Sequence, residues 1–173
     1  YVIFNIVRDN STNLGESGQV AIVKAANYVS WQYTALEPGH TYTVRAKSKN
    51  DKGKESGWSD FSESKGTKPA APTMISDNCR RVKRTDGSIA AHLEWTAVST
   101  ATSYVIEYVT NESDFETTPE KIQEKPVEDA RTSVEVIISD TGYDYYFRVR
   151  AYKVIDGKVH VSKWSKTKKA KVK

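Results

Sequence analysis

The sequence predicts an all-β protein made of two small domains joined by a short linker. The turn-and-strand pattern of segment 36–45, followed by Trp58-Ser59, recurs downstream in segment 141–150, followed by Trp164-Ser165. Strand-like stretches alternate apolar and polar residues, and no segment keeps the 3.6-residue apolar period of a helix. Turn residues recur at intervals of roughly 8–12 residues, which is typical of a β-sandwich. Together these observations predict two tandem sandwiches with almost no helix.

The repeat has a constant interval. An offset of 103 positions relates Gly39 to Gly142, Tyr42 to Tyr145, Arg45 to Arg148 and Tyr1 to Tyr104. A period of about a hundred residues is the length of one small domain. We therefore expect a partial domain over 1–68, holding the last five strands, and a complete domain over 69–173. Residues 70–103 have no counterpart in the first copy, so we expect the chain to be a piece of a longer protein.

The first domain has strand signals punctuated by turn residues. Trp31 and Tyr33 fall on one face of their strand by the two-residue period, with Leu36 at its end, and we expect Trp31 in the core. Pro38-Gly39 forms the corner before the next strand. The expected elements are a strand over 1–8, a loop over 9–18, strands over 20–24, 28–35 and 42–49, a hairpin turn over 50–53 and a returning strand over 58–64.

Residues 65–72 form a short linker that contains Pro69 and Pro72, so it should be semi-rigid. In the second domain Trp95 is expected at the centre of the core. The expected elements are strands over 73–82, 89–98, 103–110, 133–138, 143–155 and 159–172, turns at 85–87 and 156–157, and a polar connection over 111–126 with a short strand or helical turn inside it.

Composition excludes several classes of function. The 26 basic and 22 acidic residues are interspersed, unlike the clustered charge of a nucleic-acid-binding face. Cys79 is the single cysteine, and His40, His92 and His160 are scattered, so neither a disulfide nor a metal site is expected. No catalytic motif, cofactor signature or membrane-spanning apolar run is present. We therefore expect no enzyme activity, no cofactor, no nucleic-acid partner and no membrane insertion.

The pattern resembles the fibronectin type III domain. The residues that carry the resemblance are Trp95, the Tyr104-x-Ile106-x-Tyr108 strand, the Leu36-x-Pro38-Gly39-x-x-Tyr42 corner, the Tyr145-x-Phe147-x-Val149 strand, Trp58-Ser59 and Trp164-Ser165. The resemblance covers almost the whole chain and implies immunoglobulin-like sandwiches. It also implies that Tyr42 and Tyr145 are structural, each aiming its hydroxyl at backbone upstream of the corner. In the second copy Ser139 and Thr141 replace the Leu and Pro of this corner.

Arginines and tryptophans on the last strands form a second candidate feature. Arg45 with Trp58, and Arg148 and Arg150 with Trp164, suggest guanidinium groups stacked on indoles. Trp58-Ser-Asp-Phe-Ser62 is close to the Trp-Ser-x-Trp-Ser box of cytokine-receptor modules, which is a structural ladder in that family. We favour the structural interpretation over ligand contact. The lysines from Lys163 to Lys173 are interpreted as protection of an edge strand, with a basic tail for an acidic polymer as the alternative.

The resemblance implies a non-catalytic module that acts by shape and adhesion. Disulfide-free tandems of this kind resemble modules appended to phage structural proteins and bacterial surface proteins. We expect an extracellular, bacterial-surface or virion location and a weak binding site for a cell-surface glycan or protein, or for neighbouring subunits of a larger assembly, with possible oligomerisation. Loops 9–18 and 111–126 are the candidate binding loops. The alternatives are a cytokine-receptor-like ectodomain and an accessory module of a polysaccharide-degrading enzyme.

Overall fold

A computed structural model describes residues 1–9, 12–24, 29–75, 79–139 and 142–170, and the side chains of all these except 12–20. The described chain is all-β apart from two short helical turns, which confirms the predicted fold class. It forms two compact units, Tyr1–Thr67 (unit 1) and Lys68–Lys173 (unit 2). The boundary between the units lies one residue before the one expected from the sequence.

Unit 1 is a single antiparallel sheet in the described residues. The strand order is β2-β1-β3-β4. The strands are β1 (Val2–Arg8), β2 (Thr12–Val23), β3 (Thr41–Ser48) and β4 (Lys65–Gly66). Strand β1 agrees with the prediction, because a run of β-branched and aromatic residues suits a strand paired on both sides. The corner before β3 turns at Gly39, whose φ of 77° lies in the left-handed region that glycine adopts without strain.

Two predicted elements that precede β3 in unit 1 are wrong. The expected loop over 9–18 is mostly strand, since β2 starts at Thr12 and pairs with β1 through two register shifts beside Asn5. Residues 10 and 11 lie outside the described part. The polar residues of this segment indicate a loop locally, but pairing with β1 satisfies their backbone groups. The expected strand over 28–35 forms no ladder in its described residues, 29–35.

Unit 2 is a sandwich of two antiparallel sheets. One sheet has the order β5-β6-β9 and the other β11-β10-β7-β8, with β12 paired to β10. The strands are β5 (Arg80–Lys83), β6 (Ile89–Glu94), β7 (Ser103–Val109), β8 (Gln123–Val127), β9 (Ser133–Ile138), β10 (Tyr146–Ile155), β11 (Lys158–Val161) and β12 (Lys168–Lys169). A short helix, α1 (Asp114–Thr117), and a 3₁₀ turn (Pro119–Lys121) precede β8.

The core of unit 2 lies between its two sheets. Leu93 and Trp95, from β6 and the residue after it, pack with Ile106 of β7 and with Phe147 and Val149 of β10. Trp95 is 2% exposed, and its ring meets the ring of Tyr104 edge-on with centroids 5.4 Å apart. The hairpin turn at Asp156-Gly157 has positive φ at both residues, as a two-residue turn between twisted strands requires.

The order of elements in unit 2 follows the prediction, with shorter strands and three differences. The polar connection over 111–126 ends in β8, which pairs with β7 from Tyr108 to Tyr104. The strand predicted over 159–172 is interrupted between β11 and β12, and residues 171–173 lie outside the described part. The strand predicted over 73–82 begins at the Met74–Trp95 bridge and resumes as β5, while residues 76–78 also lie outside the described part.

The register of the repeat also differs from the sequence alignment. Val2 pairs with Ser48, whereas Tyr104 pairs with Ala151, which lies 103 positions after Ser48. The structural counterpart of Val2 is therefore Tyr104, and the match of Tyr1 to Tyr104 is wrong by one residue. Since neighbouring strand residues point to opposite faces, this single step decides which side chains of β1 face inwards.

Candidate functional site

In each unit, serine side chains hold a segment near the C-terminal end of the unit against one strand of its sheet. That strand is β3 in unit 1 and β10 in unit 2. In unit 2, Ser165 donates its N–H to the carbonyl of Val149 at 2.8 Å, and its Oγ accepts the N–H of Val149 at 3.0 Å. Ser162 makes the same pair of bonds with Ala151, both at 2.9 Å. Each serine hydroxyl then donates to the carbonyl of the next residue. The serines repeat every three residues, which differs from the two-residue period of a pleated strand.

Unit 1 uses the same arrangement three times. Ser56, Ser59 and Ser62 each exchange two hydrogen bonds with one residue of β3 or its end, and the partners are Ser48, Ala46 and Val44 respectively. The predicted strand over 58–64 is therefore wrong as a pleated strand. Its backbone runs alongside β3, but serine hydroxyls replace part of the ladder. We call each such pair of hydrogen bonds between a serine and a strand residue a serine tether. In both units the tethers turn every third side chain towards the sheet, and the residues between them can cover the outer face of the sheet.

Arg45 lies between two aromatic rings in unit 1. Its guanidinium carbon is 4.9 Å from the Trp58 ring centroid and 4.6 Å from that of Phe61. Lys47 covers Trp58 as well, with its Nζ 4.7 Å from the ring centroid, and forms an ion pair with Glu55 at 2.5 Å. This alternating stack, named the unit 1 ladder, joins β3 to the serine-tethered segment.

The unit 2 ladder is longer. Arg148 lies between Phe115 and Trp164, at 4.2 and 4.6 Å from the two ring centroids. Arg150 lies between Trp164 and Tyr152, at 4.2 and 5.3 Å. Each residue of the predicted arginine–tryptophan contacts (Arg45, Trp58, Arg148, Arg150 and Trp164) thus lies in one of the two ladders. The aromatic partners Phe61, Phe115 and Tyr152 and the cation Lys47 were missed, although the two-residue spacing of Arg150 and Tyr152 was visible in the sequence.

Arg45 and Arg148 each donate a hydrogen bond to a polar side chain on the neighbouring strand. Arg45 donates from Nε to Oδ1 of Asn5 at 2.9 Å. Arg148 donates from Nε to Oε2 of Glu107 at 2.8 Å and approaches the same oxygen with Nη2 at 2.7 Å. Asn5 and Glu107 occupy the same register position opposite the arginines. Because Glu107 is buried and the side chain of Arg148 is only 13% exposed, this contact is a largely desolvated ion pair, whereas the unit 1 contact has a neutral acceptor.

The ladders leave little aromatic surface for a ligand. Trp58 contacts Arg45 and Lys47, and Trp164 contacts Arg148 and Arg150, so two cations contact each indole. A sugar ring that stacks on either tryptophan would compete with these contacts, each of which contributes about 0.5–1 kcal/mol at an exposed site. The geometry therefore favours a stabilising role for the ladders over direct ligand contact.

The corner tyrosines bond to backbone upstream. The hydroxyl of Tyr42 accepts the N–H of Glu37 at 2.8 Å, and that of Tyr145 accepts the N–H of Ser139 at 3.2 Å. Both tyrosines are buried. The second copy thus keeps the tyrosine bond despite its altered corner, because Ser139 Oγ lies 2.6 Å from the same hydroxyl. Residues 140 and 141 lie outside the described part of this corner.

A cluster of charged residues surrounds the corner of unit 1. Asp9 accepts the N–H of Thr41 at 2.9 Å through Oδ1, and its Oδ2 lies 2.6 Å from Nδ1 of His40. Desolvation raises the pKa of the Asp9 carboxyl, but the hydrogen bonds from Thr41 and His40 outweigh it and hold this pKa below its ordinary value. Arg8 pairs with Glu37 beside this cluster. These bonds connect the end of β1 to the start of β3.

The remaining candidates are dispersed. Trp31 is only half-buried, unlike Trp95, so it does not sit in a closed core. It stacks on Phe4 with centroids 5.4 Å apart.

Lys169 donates to Asp144 at 2.6 Å, and this bond raises the pKa of the lysine. Among the described residues no group of His, Cys, Asp or Glu is arranged to hold a metal ion. No described helix has the length and apolar character needed to cross a membrane.

Comparison with known proteins supports the fold. No protein-family model matches the chain, and no curated protein sequence matches it. Among solved structures it is similar to a segment of two fibronectin type III domains from chicken tenascin, with 15% identity, a TM-score of 0.56, and coverage of 98% of this chain and 83% of that one. It is also similar to the FN1–FN3 domains of chicken CNTN1, with 14% identity, a TM-score of 0.44, and coverage of 97% and 55%. The fold of this chain is therefore that of fibronectin type III domains in tandem.

Proposed function

We propose that the chain is a non-catalytic spacing and adhesion module that presents a weak binding site for a cell-surface glycan or protein, outside a cell or on a virion. The observation that carries the proposal is the anchoring of residues 111–121 in unit 2. Phe115 is buried beneath Arg148, and Asp114 is buried with its Oδ1 accepting from Thr118 Oγ1 at 3.2 Å. Binding residues concentrate on loops that a rigid scaffold holds in place.

The exposed residues of this loop define the chemistry of the proposed ligand. Glu112, Glu116 and Glu120 are exposed, and Lys121 lies among them. Carboxylates accept hydrogen bonds from sugar hydroxyl groups and from basic protein surfaces, whereas they repel polyanions. The proposed ligand is therefore a neutral glycan or a basic protein surface. A single contact of this kind is weak, so avidity in a multivalent assembly would supply the working affinity.

The linker supports the spacing role. Thr67 is tied to unit 1 through its N–H to the carbonyl of His40 at 2.9 Å, and Thr73 is tied to unit 2 through its N–H to Thr96 Oγ1 at 3.0 Å. Only residues 68–72 lie between these two points, and Pro69 and Pro72 are among them. A short proline-containing connection restricts the backbone and suits a module that holds a binding surface away from its attachment.

The test uses the intact chain, displayed as a tetramer so that weak binding is detectable. Retention on a glycan array and on whole cells is compared with a Glu112→Gln/Glu120→Gln variant. The control variant, Glu63→Gln/Glu135→Gln, makes the same change in net charge elsewhere. We expect retention to fall in the loop variant only. Equal loss in both variants would refute this loop as the site, and no retention on any surface would leave only the spacing role.

A receptor-like role is the second candidate. The repeated serine tethers and cation–aromatic ladders favour it, because they are similar to the Trp-Ser-x-Trp-Ser arrangement of cytokine-receptor modules. Under this alternative the chain would capture a soluble protein ligand and would not adhere to cells or polysaccharide. An accessory role beside a polysaccharide-degrading domain predicts instead retention on insoluble polysaccharide. The same binding experiment, extended to insoluble polysaccharide, distinguishes the adhesion role, the receptor-like role and the accessory role.

A further inference from the structure

Two turns of unit 2 carry the same pair of residues, an aspartate followed by a glycine. Asp86-Gly87 lies between β5 and β6, and Asp156-Gly157 lies between β10 and β11. All four residues are exposed, so water reaches both turns. An aspartate before glycine is prone to isomerisation, because glycine is conformationally permissive and has no side chain to hinder attack by its nitrogen on the aspartate carboxyl carbon. Sequence and exposure alone therefore predict similar reactivity at the two turns.

Both reacting groups of the first turn are held by hydrogen bonds. Oδ1 of Asp86 accepts the hydroxyl of Ser88 at 2.6 Å and the N–H of Ser88 at 2.9 Å. These two bonds hold the pKa of the Asp86 carboxyl below its ordinary value, which favours the carboxylate, the form that a nitrogen attacks least readily. Gly87 donates its N–H to the carbonyl of Arg84 at 3.1 Å. The attacking nitrogen and the carboxyl carbon are thus both kept from reacting.

Neither reacting group of the second turn is held in this way. Among the described residues, the Asp156 carboxyl forms no hydrogen bond or ion pair, and the N–H of Gly157 is donated to no other group. The turn has only two residues between the register partners Ile155 and Lys158. Its φ angles of 49° at Asp156 and 72° at Gly157 are those of a type I′ turn. The two turns therefore differ in hydrogen bonding and not in the identity of the reacting residues.

We propose that Asp156 is a site of spontaneous isomerisation to isoaspartate, whereas Asp86 is protected in the folded chain. The nitrogen of Gly157 attacks Cγ of Asp156, and a new N–Cγ bond forms. The proton of this nitrogen and a carboxyl hydroxyl leave together as water. Water then opens the resulting cyclic imide at either carbonyl carbon. Opening at the main-chain carbonyl of Asp156 breaks its bond to nitrogen, so the main chain now runs through Cβ and Cγ. One water is released and one regained, so mass and oxidation state are unchanged.

The product should loosen the end of the β10–β11 hairpin. Isoaspartate adds one atom to the main chain, and a two-residue turn closes its strands in register only with its own backbone geometry. Within the described chain β11 pairs with β10 alone, so no second neighbour holds it in place. Ile155, beside the turn, is 8% exposed, whereas the next register pair, Val154 and Val159, is 52% and 61% exposed. We therefore expect isomerisation to weaken this end of the ladder and to uncover Ile155.

The test follows isoaspartate at both sites while the purified chain is stored in warm, mildly acidic buffer. Peptide mapping with electron-transfer fragmentation distinguishes isoaspartate from aspartate, which have the same mass. We expect the product to form about 10-fold or more faster at residue 156 than at residue 86, because the bonds at Asp86 and Gly87 must break before reaction. Synthetic peptides of residues 82–90 and 152–160 should react at similar rates, since no fold holds either turn. Equal rates in the folded chain, or faster reaction at residue 86, would overturn the proposal.

Two variants test the protection and the effect on the hairpin. Ser88→Ala removes the hydroxyl that donates to Asp86, and it should raise isoaspartate at residue 86 without changing its rate at residue 156. No rise at residue 86 would contradict the protective role of this bond. In the stored chain, amides of 154–161 should exchange faster in the isomerised fraction than in fresh protein. Asp156→Glu, which would have to close a larger ring, should keep the exchange of fresh protein after the same storage. Unchanged exchange in the isomerised fraction would refute the loosening of the hairpin.

Discussion

The carboxylate of Glu107 lies 2.7 Å from the guanidinium of Arg148, and the two side chains are only 9% and 13% exposed. The same guanidinium stacks between Phe115 and Trp164. One buried ion pair therefore orients the centre of the unit 2 ladder and, through Phe115, the loop proposed to bind. In unit 1 the neutral Asn5 takes the place of the carboxylate, so the chain contains two versions of one ladder that differ in buried charge.

Breaking the buried pair should cost more in unit 2 than in unit 1. Arg148→Met leaves Glu107 buried without its cation, and we expect unit 2 to lose about 3–5 kcal/mol of unfolding free energy. Arg45→Met leaves a neutral amide and should cost about 1–3 kcal/mol in unit 1. Chemical denaturation with unit-resolved hydrogen exchange measures both. The double variant Arg148→Met/Glu107→Met should recover most of the loss, and failure to recover would contradict the ion-pair explanation.

The serine tethers should contribute measurably to stability. Ser162→Ala removes the acceptor of the buried N–H of Ala151, and an unsatisfied buried donor costs about 1–3 kcal/mol. Faster exchange at the Ala151 amide should accompany the loss. Ser133→Ala, at the exposed start of β9, is the control and should change unfolding free energy by no more than about 0.5 kcal/mol. Equal effects from the two substitutions would show that the tether is not stabilising.

The corner tyrosines should affect stability and not binding. Tyr145→Phe removes the hydroxyl that accepts the N–H of Ser139, and we expect a loss of about 0.5–1.5 kcal/mol in unit 2. Tyr42→Phe should produce a similar loss in unit 1, where the hydroxyl accepts the N–H of Glu37. Retention of the folded variants on the surfaces used for binding should be unchanged. A variant of normal stability with lost retention would indicate a ligand contact at the corner.

Acid should weaken unit 1 through Asp9. The pKa of this carboxyl is below its ordinary value of 3.8 in the folded chain, so its stabilising contribution is complete above that value. The contribution is lost as the pH falls through the folded pKa. Asp9→Asn should therefore flatten the decline of unit 1 stability between about pH 5 and pH 2. The Asn side chain also tolerates the positive φ of 51° at this position, which limits any backbone strain. Asp51→Asn, in an exposed turn, should leave the acid profile unchanged.

Local sequence signals determined a large part of this protein. Two-residue alternation placed β1, β7 and β9 close to their observed bounds, and the turn residues at 50–53, 85–87 and 156–157 stand where the chain reverses. The repeated Tyr, Arg and Trp positions indicated both corners and the arginine–tryptophan contacts. These features are local or repeat at a fixed interval, so each is visible without knowledge of which strands are neighbours.

Tertiary structure decided the features that depend on a partner. Segment 12–18 is polar but becomes strand because β1 lies beside it, whereas segment 29–35 alternates like a strand but has no described neighbour to pair with. The one-residue shift between Tyr1 and Tyr104 follows from hydrogen bonds to β3 and β10, and the burial of Glu107 follows from Arg148 opposite it. Ladder pairing, register and the burial of a charge are properties of two neighbouring strands together. The sequence of one strand therefore specifies its alternation of apolar and polar residues, while its neighbour determines whether it becomes part of a sheet.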